Sequence, residues 1–135
     1  MLGFGIHLKQ ATHNKNAALK AAQSGYPDWA VTMCFYAALH YVKACEAFRA
    51  DNIYKDYPNG KSQHERTLFY VLDIDTTPKL SVYAAYETLL EASKISRYLS
   101  CISTSSKHHF LNKTDEYFDM LSVIETFFKP LLNIP

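Results

Sequence analysis

A chain of 135 residues with 48% hydrophobic and 14% aromatic content can bury one core without disulfide or metal staples, which excludes a disordered segment. A formal net charge of +1 excludes a strong non-specific DNA binder, whose affinity needs a broad basic surface, but leaves room for a small basic cleft. Cys34, Cys45 and Cys101 are odd in number and form no C-x-x-C pair, so they read as small buried or half-buried hydrophobes of a reducing, cytoplasmic compartment.

The pattern predicts five helical segments and no strand. The first runs from about Ile6 to Ser24, with Ala17, Ala18, Ala21 and Ala22 on its apolar face and Lys9, Lys15 and Lys20 toward water. Gly25 ends it as a C′ residue with Pro27 just beyond. Asp28 opens the second, which is expected to reach Arg49 or Ala50. Its sequence from Trp29 to Phe48, WAVTMCFYAALHYVKACEAF, is apolar almost all the way round and belongs in the middle of a bundle. It is about long enough to span a bilayer, but His40, Lys43 and Glu46 interrupt it, so a core helix and no membrane is the expectation. The opening MLGFGIHLKQ lacks the basic and apolar regions of a signal peptide.

Asp51 to Lys61 reads as a loop around the Pro58-Asn59-Gly60 turn. Ser62 and Glu65 form a capping box that opens a short helix to about Leu72. After a connector, Thr77 as cap and Pro78 at the first helical position start a helix expected to reach Leu99. Ser100 to Lys113 is Ser-rich and poorly periodic, the pattern of a mobile loop. Thr114 is expected to cap the last helix, with Asp115 and Glu116 against its dipole, Phe118, Leu121, Ile124, Phe128 and Leu131 on its apolar stripe, and Pro130 near its end. The predicted fold is all-α, one domain over residues 1–135, built as an antiparallel bundle of four or five helices.

Four groups of side chains carry chemistry. Thr32, Tyr36, His40 and Lys43 fall on one narrow stripe of the central helix, so they form either its solvent window, a hydrogen-bonded core seam, or a ligand-binding site. His64 and Arg66 lie in the first turn of the capped helix, where backbone N–H groups favour an anion, although Arg66 could equally pair with a carboxylate. Arg97 ends the seam Tyr86, Leu90, Ser93, and the macrodipole alone would also explain an Arg there. His108 and His109 in the Ser-rich loop lack the spacing of a metal site, and four glycines are too few for a glycine-based nucleotide cradle. No metal or cofactor is expected.

The segments YPDWAVTMCFYAALHYVKA, QHER and SKISRY, together with His13-Asn14 on the first helix, resemble a prokaryotic branch of the HEPN superfamily, the higher eukaryotes and prokaryotes nucleotide-binding domains. The resemblance covers about His7 to Tyr98. It implies an all-helical bundle that forms a homodimer. Many relatives are metal-independent RNases of toxin–antitoxin or other defence systems, while others bind nucleotides or act as non-catalytic partners. Catalytic relatives carry an Arg followed some four to six residues later by a His, a spacing that Arg49, Arg66 and Arg97 all lack. An alternative catalytic set of His64, Arg97, His40 and Arg66, with Tyr36 and Lys43 binding the ligand, therefore requires the helices to bring these residues together. The expected function is RNA or nucleotide binding, with RNA cleavage or antitoxin binding as its extension. The competing expectation is a non-catalytic dimeric module for a protein partner.

Overall fold

The computed structural model describes residues 3–99 and 102–134. Among them are α1 (Phe4–Gln23), α2 (Pro27–Arg49), α3 (Ile53–Asp56), α4 (Gln63–Ile74), α5 (Ser81–Tyr98), α6 (Ser106–His109) and α7 (Thr114–Leu131), with a 3-10 turn at Pro78–Leu80 and no strand. The four long helices α1, α2, α5 and α7 make the bundle. α2 is its centre and packs on the other three. It runs antiparallel to α1, with Phe4 meeting Phe48 edge-on at 5.2 Å, and antiparallel to α5, where Thr32 near its start meets Ser96 near the end of α5.

The α1–α2 hairpin closes as the sequence predicts. Gly25 takes φ +83°, the Tyr26 N–H reaches the Ala21 carbonyl at 2.8 Å and the Gly25 N–H the Ala22 carbonyl at 3.4 Å, so the last carbonyls of α1 are satisfied by a Schellman turn. Small residues on α1, such as the fully buried Ala11 and Ala18, let it approach α2 closely. The core is contiguous around Phe35, Val42, Tyr86, Leu89, Leu90, Leu121, Ile124 and Phe128. Cys34 and Cys45 are free and buried in it; burial pushes the Cys34 thiol up to about 12, which removes it as a nucleophile. Cys101 lies outside the described residues.

The caps separate the expectations. Ser62 accepts the Glu65 N–H at 3.1 Å as predicted, but Glu65 reaches back to the N–H of Lys61 rather than of Ser62. Thr77 does not open α5 directly. Lys79 and Leu80 adopt left-handed backbone, α5 starts at Ser81, and Thr77 caps across the turn, its hydroxyl oxygen accepting the Ser81 N–H at 3.0 Å while Asp75 accepts the Tyr83 N–H at 2.9 Å. Thr114 makes no capping hydrogen bond, because it is already the first helical residue. The Ser-rich stretch also departs from expectation over its described part. Ser105 accepts the His108 N–H to cap α6, Ser106 donates to Asp28 at 3.0 Å, and Phe110 is fully buried against Val31 and Ala92. One buried aromatic anchors a segment whose local pattern is polar.

Candidate functional site

The face of α2 left partly open by its neighbours is a stripe of Trp29, Met33, Tyr36, His40, Lys43 and Ala47. These residues recur at steps of four and three, the spacing of one helical face. Thr32, which the sequence assigns to this line, is instead 1% exposed and donates to Ser96 at 2.8 Å, and Ser96 in turn donates to the Asp28 carbonyl at 2.9 Å. It is a helix–helix fastener. The other three polar members, Tyr36, His40 and Lys43, do share the half-exposed stripe.

Arg97 of α5 closes over this stripe. Its guanidinium lies 5.7 Å from the Tyr36 ring centroid and 4.8 Å from that of Tyr98. Nε donates to the Ser93 carbonyl at 3.2 Å, Nη2 to the Ser93 hydroxyl at 3.3 Å and Nη1 to the Tyr98 hydroxyl at 3.1 Å. Among the described residues no carboxylate pairs with it. Two tyrosines and one serine thus hold a half-buried guanidinium in place without neutralising it.

His64 of α4 packs edge-on against Phe35 at 5.7 Å. Its Nδ1 is buried and has no partner among the described residues. Burial lowers its pKa, and Arg97, Lys94 and Lys43 lower it further, so the ring is neutral near pH 7 and able to accept a proton. Lys94 thereby joins the site electrostatically. It also pairs with Glu91 at 3.3 Å, and its place three residues before Arg97 on the same helix is the signal that would have found it.

His40 has a partner that the sequence reading also misses. His7 of α1 lies with its Nδ1 3.1 Å from the His40 Nδ1, the rings stacked at 5.3 Å and 27°. One Nδ1 must donate and the other accept, so the pair shares a single proton at that contact. Burial lowers both pKa values; the His7 ring and Lys43 act further on His40, while Lys43 and, in the opposite sense, Glu46 act on His7. Lys43 lies 3.6 Å from Glu46, whose other oxygen accepts the Ile53 N–H at 2.7 Å. Nothing local in the sequence joins His7 to His40, because they are 33 positions apart.

Arg66 does not join this group. Its Nη1 donates to the Gly60 carbonyl at 3.0 Å, its guanidinium covers Tyr54 at 5.0 Å, and its Nε is buried without a partner. A Cβ on Gly60 would sit 2.2 Å from the Arg66 Cγ, so the glycine exists to let this side chain cross the 57–60 turn. Two positions apart on α4, His64 and Arg66 point to different sides, the first to Phe35 and the second to the turn. No direct hydrogen bond links any two of His40, His64 and Arg97 among the described residues: His40 meets His7, Arg97 lies over Tyr36, and His64 packs on Phe35 and senses Arg97 through its charge. His108 and Lys107 lie elsewhere, around a separate cavity with Ser105 and Leu111.

A second polar cluster, outside every sequence expectation, centres on Glu125 of α7. This nearly buried carboxylate accepts from Lys15 at 2.7 Å and from the Tyr41 hydroxyl at 3.0 Å, and pairs with Lys129 at 3.3 Å. Lys15 is therefore a tie between α1 and α7 rather than a solvent-facing lysine. Burial alone would raise the Glu125 pKa, but the Lys15 hydrogen bond and charge, with Tyr41 and Lys129, outweigh it and hold the group below its ordinary 4.5. The cluster borders two shallow cavities of about 380 and 360 Å³.

Comparison of the chain with protein-family models, with curated proteins and with solved structures returns no match. Among the described residues no helix is long and apolar enough to cross a membrane.

Proposed function

We propose that this is a HEPN-like helical protein that binds RNA or a nucleotide on the face formed by Tyr36, His40, Lys43, His64, Lys94 and Arg97, and cleaves RNA without a metal. The observation that carries the reading is Arg97: a guanidinium fixed by Ser93 and two tyrosines and unpaired with any carboxylate among the described residues, whose charge helps keep His64 neutral. Such a group is ready for a phosphate, which it can meet with its planar donors at little ordering cost. In a cleavage step His64, or His40 with its proton shared with His7, takes the proton of the ribose 2′-OH as that oxygen attacks phosphorus. Arg97 stabilises the charge that gathers on the phosphate, and the 5′-oxygen leaves with a proton taken from water. In a homodimer two such faces would line a shared cleft, and a cytoplasmic toxin–antitoxin or defence role is the setting this chemistry suits.

The test is incubation of purified protein with mixed RNA in EDTA beside Arg97→Gln and His64→Ala. Cleavage by the wild type and its loss in both variants are expected. Equal residual cleavage in all three marks a contaminating nuclease and overturns the reading. The runner-up is a non-catalytic dimeric module for a protein partner such as an antitoxin. It is favoured by the missing Arg-to-His spacing and the lack of direct hydrogen bonds among His40, His64 and Arg97, and it predicts binding without cleavage.

A further inference from the structure

The open stripe of α2 continues past the phosphate site, and its extension is aromatic. Trp29 is 55% exposed and lies on the same helical face as Tyr36, two turns away. Tyr98, at the end of α5, is 67% exposed, with Arg97 stacked on its ring. Aromatic faces and cations therefore interleave along one strip: Trp29, Tyr36 with Arg97 and Tyr98, then His40 and Lys43. From Trp29 to Lys43 the strip is about 21 Å long at the rise of an α-helix, more than one nucleotide occupies.

Resting on the phosphate-binding reading above, we infer that this strip is a base-stacking platform, and that its ligand is a single-stranded RNA segment rather than a duplex or a mononucleotide. Unpaired bases can lie on Trp29 and Tyr98 while the phosphates between them meet Arg97 and Lys43. A duplex hides its base faces in its own stack and would use only the cations, and a net charge of +1 gives those little non-specific hold on it. A mononucleotide could use one aromatic surface at a time. An exposed tryptophan in the same line as the cations is otherwise unaccounted for by the packing, since Val31 and Phe35 fill the core side of this helix.

Trp29 is the one tryptophan of the chain, so its fluorescence reports on this strip alone. The experiment titrates the full chain at low salt with a short oligouridylate, a blunt RNA duplex and uridine monophosphate, following Trp29 emission. In parallel, the anisotropy of a labelled oligouridylate is measured with wild type, Trp29→Leu, Tyr98→Ala and Arg97→Gln. The expected result is strong quenching by the oligouridylate and at least tenfold weaker binding of the duplex and the monophosphate. Trp29→Leu and Tyr98→Ala are each expected to weaken oligouridylate binding by roughly 5- to 100-fold, the range of one lost stacking contact. Both side chains are exposed, so circular dichroism should show an unchanged fold. Arg97-dependent binding with unchanged Trp29 emission and a wild-type affinity in Trp29→Leu overturns the platform while sparing the phosphate site. Equal affinity for duplex and single strand does the same. Failure of every RNA to bind overturns the phosphate-binding reading itself.

Discussion

On one side of α2, Glu125 is met by Lys15, Lys129 and the Tyr41 hydroxyl; on the other, Arg97 lies over Tyr36 of the half-open stripe with no carboxylate paired to it among the described residues, and His64 packs on Phe35. Both clusters bring polar groups from three helices together against the same apolar helix. The Glu125 cluster satisfies its central carboxylate and ties α1, α2 and α7. In the Arg97 cluster the guanidinium is held only by neutral groups, and the His64 Nδ1 has no partner among the described residues. A closed set of charges is the signature of an internal tie, whereas a fixed cation without a counter-ion, as Arg97 is, is a group prepared for something that arrives from outside.

The largest expected effect tests that difference on the functional side. Arg97→Gln should lower RNA cleavage by about 100-fold or more, the scale of removing a charge-stabilising donor, while shifting the urea midpoint little. Cleavage rates and denaturation curves on the same preparations check it. Glu125→Gln should do the reverse, costing about 2 kcal/mol of stability through the weakened bonds to Lys15, Tyr41 and Lys129, with RNA affinity unchanged. If both variants lose binding and stability alike, the two clusters are one cooperative unit and the contrast collapses.

Acid separates them next. His7, His40 and His64 all have folded pKa values below their ordinary 6.5, so the unfolded chain binds the extra protons. Their contribution is fully present above about 6.5 and is lost as pH falls below it. Glu125 is also depressed, from 4.5, so its contribution is lost only in the lower window as pH falls through its folded pKa. Stability measured against pH should therefore fall in two stages. His40→Gln should flatten the upper stage and Glu125→Gln the lower. The smallest effect concerns Arg66: Arg66→Met should cost about 1 kcal/mol through the lost Gly60 contact and leave RNA affinity as it was. A clear loss of affinity would return Arg66 to the site.

Much of the fold was legible because its signals are local. The Gly25-Tyr26-Pro27 stop, the Ser62–Glu65 cap and the all-round apolar character of α2 each follow from a few neighbouring residues, and all appear in the structure. The start of α5 misled because Lys79 and Leu80 turn left-handed, so Thr77 works at a distance of four residues. The described part of the Ser-rich stretch misled because Phe110, a single residue, holds it to the core.

Of the candidate site, the pattern along α2 marked Tyr36, His40 and Lys43, the first turn of the capped helix marked His64 and Arg66, and the Tyr86, Leu90, Ser93 seam marked Arg97. Helical periodicity gives only the direction of each side chain on its own helix. Which of those directions converge depends on how the helices are rotated against one another, and the rotation is decided by the packing of the whole core. That packing buried Thr32, turned Arg66 onto its loop, and brought His7 to His40 and Lys15 to Glu125 across 33 and 110 positions. The amino-acid sequence by itself determined an all-helical chain with one central helix and a set of cations near it; only the tertiary structure decided which of them remain without a counter-charge, because charge pairing is a matter of distance in space and not along the chain.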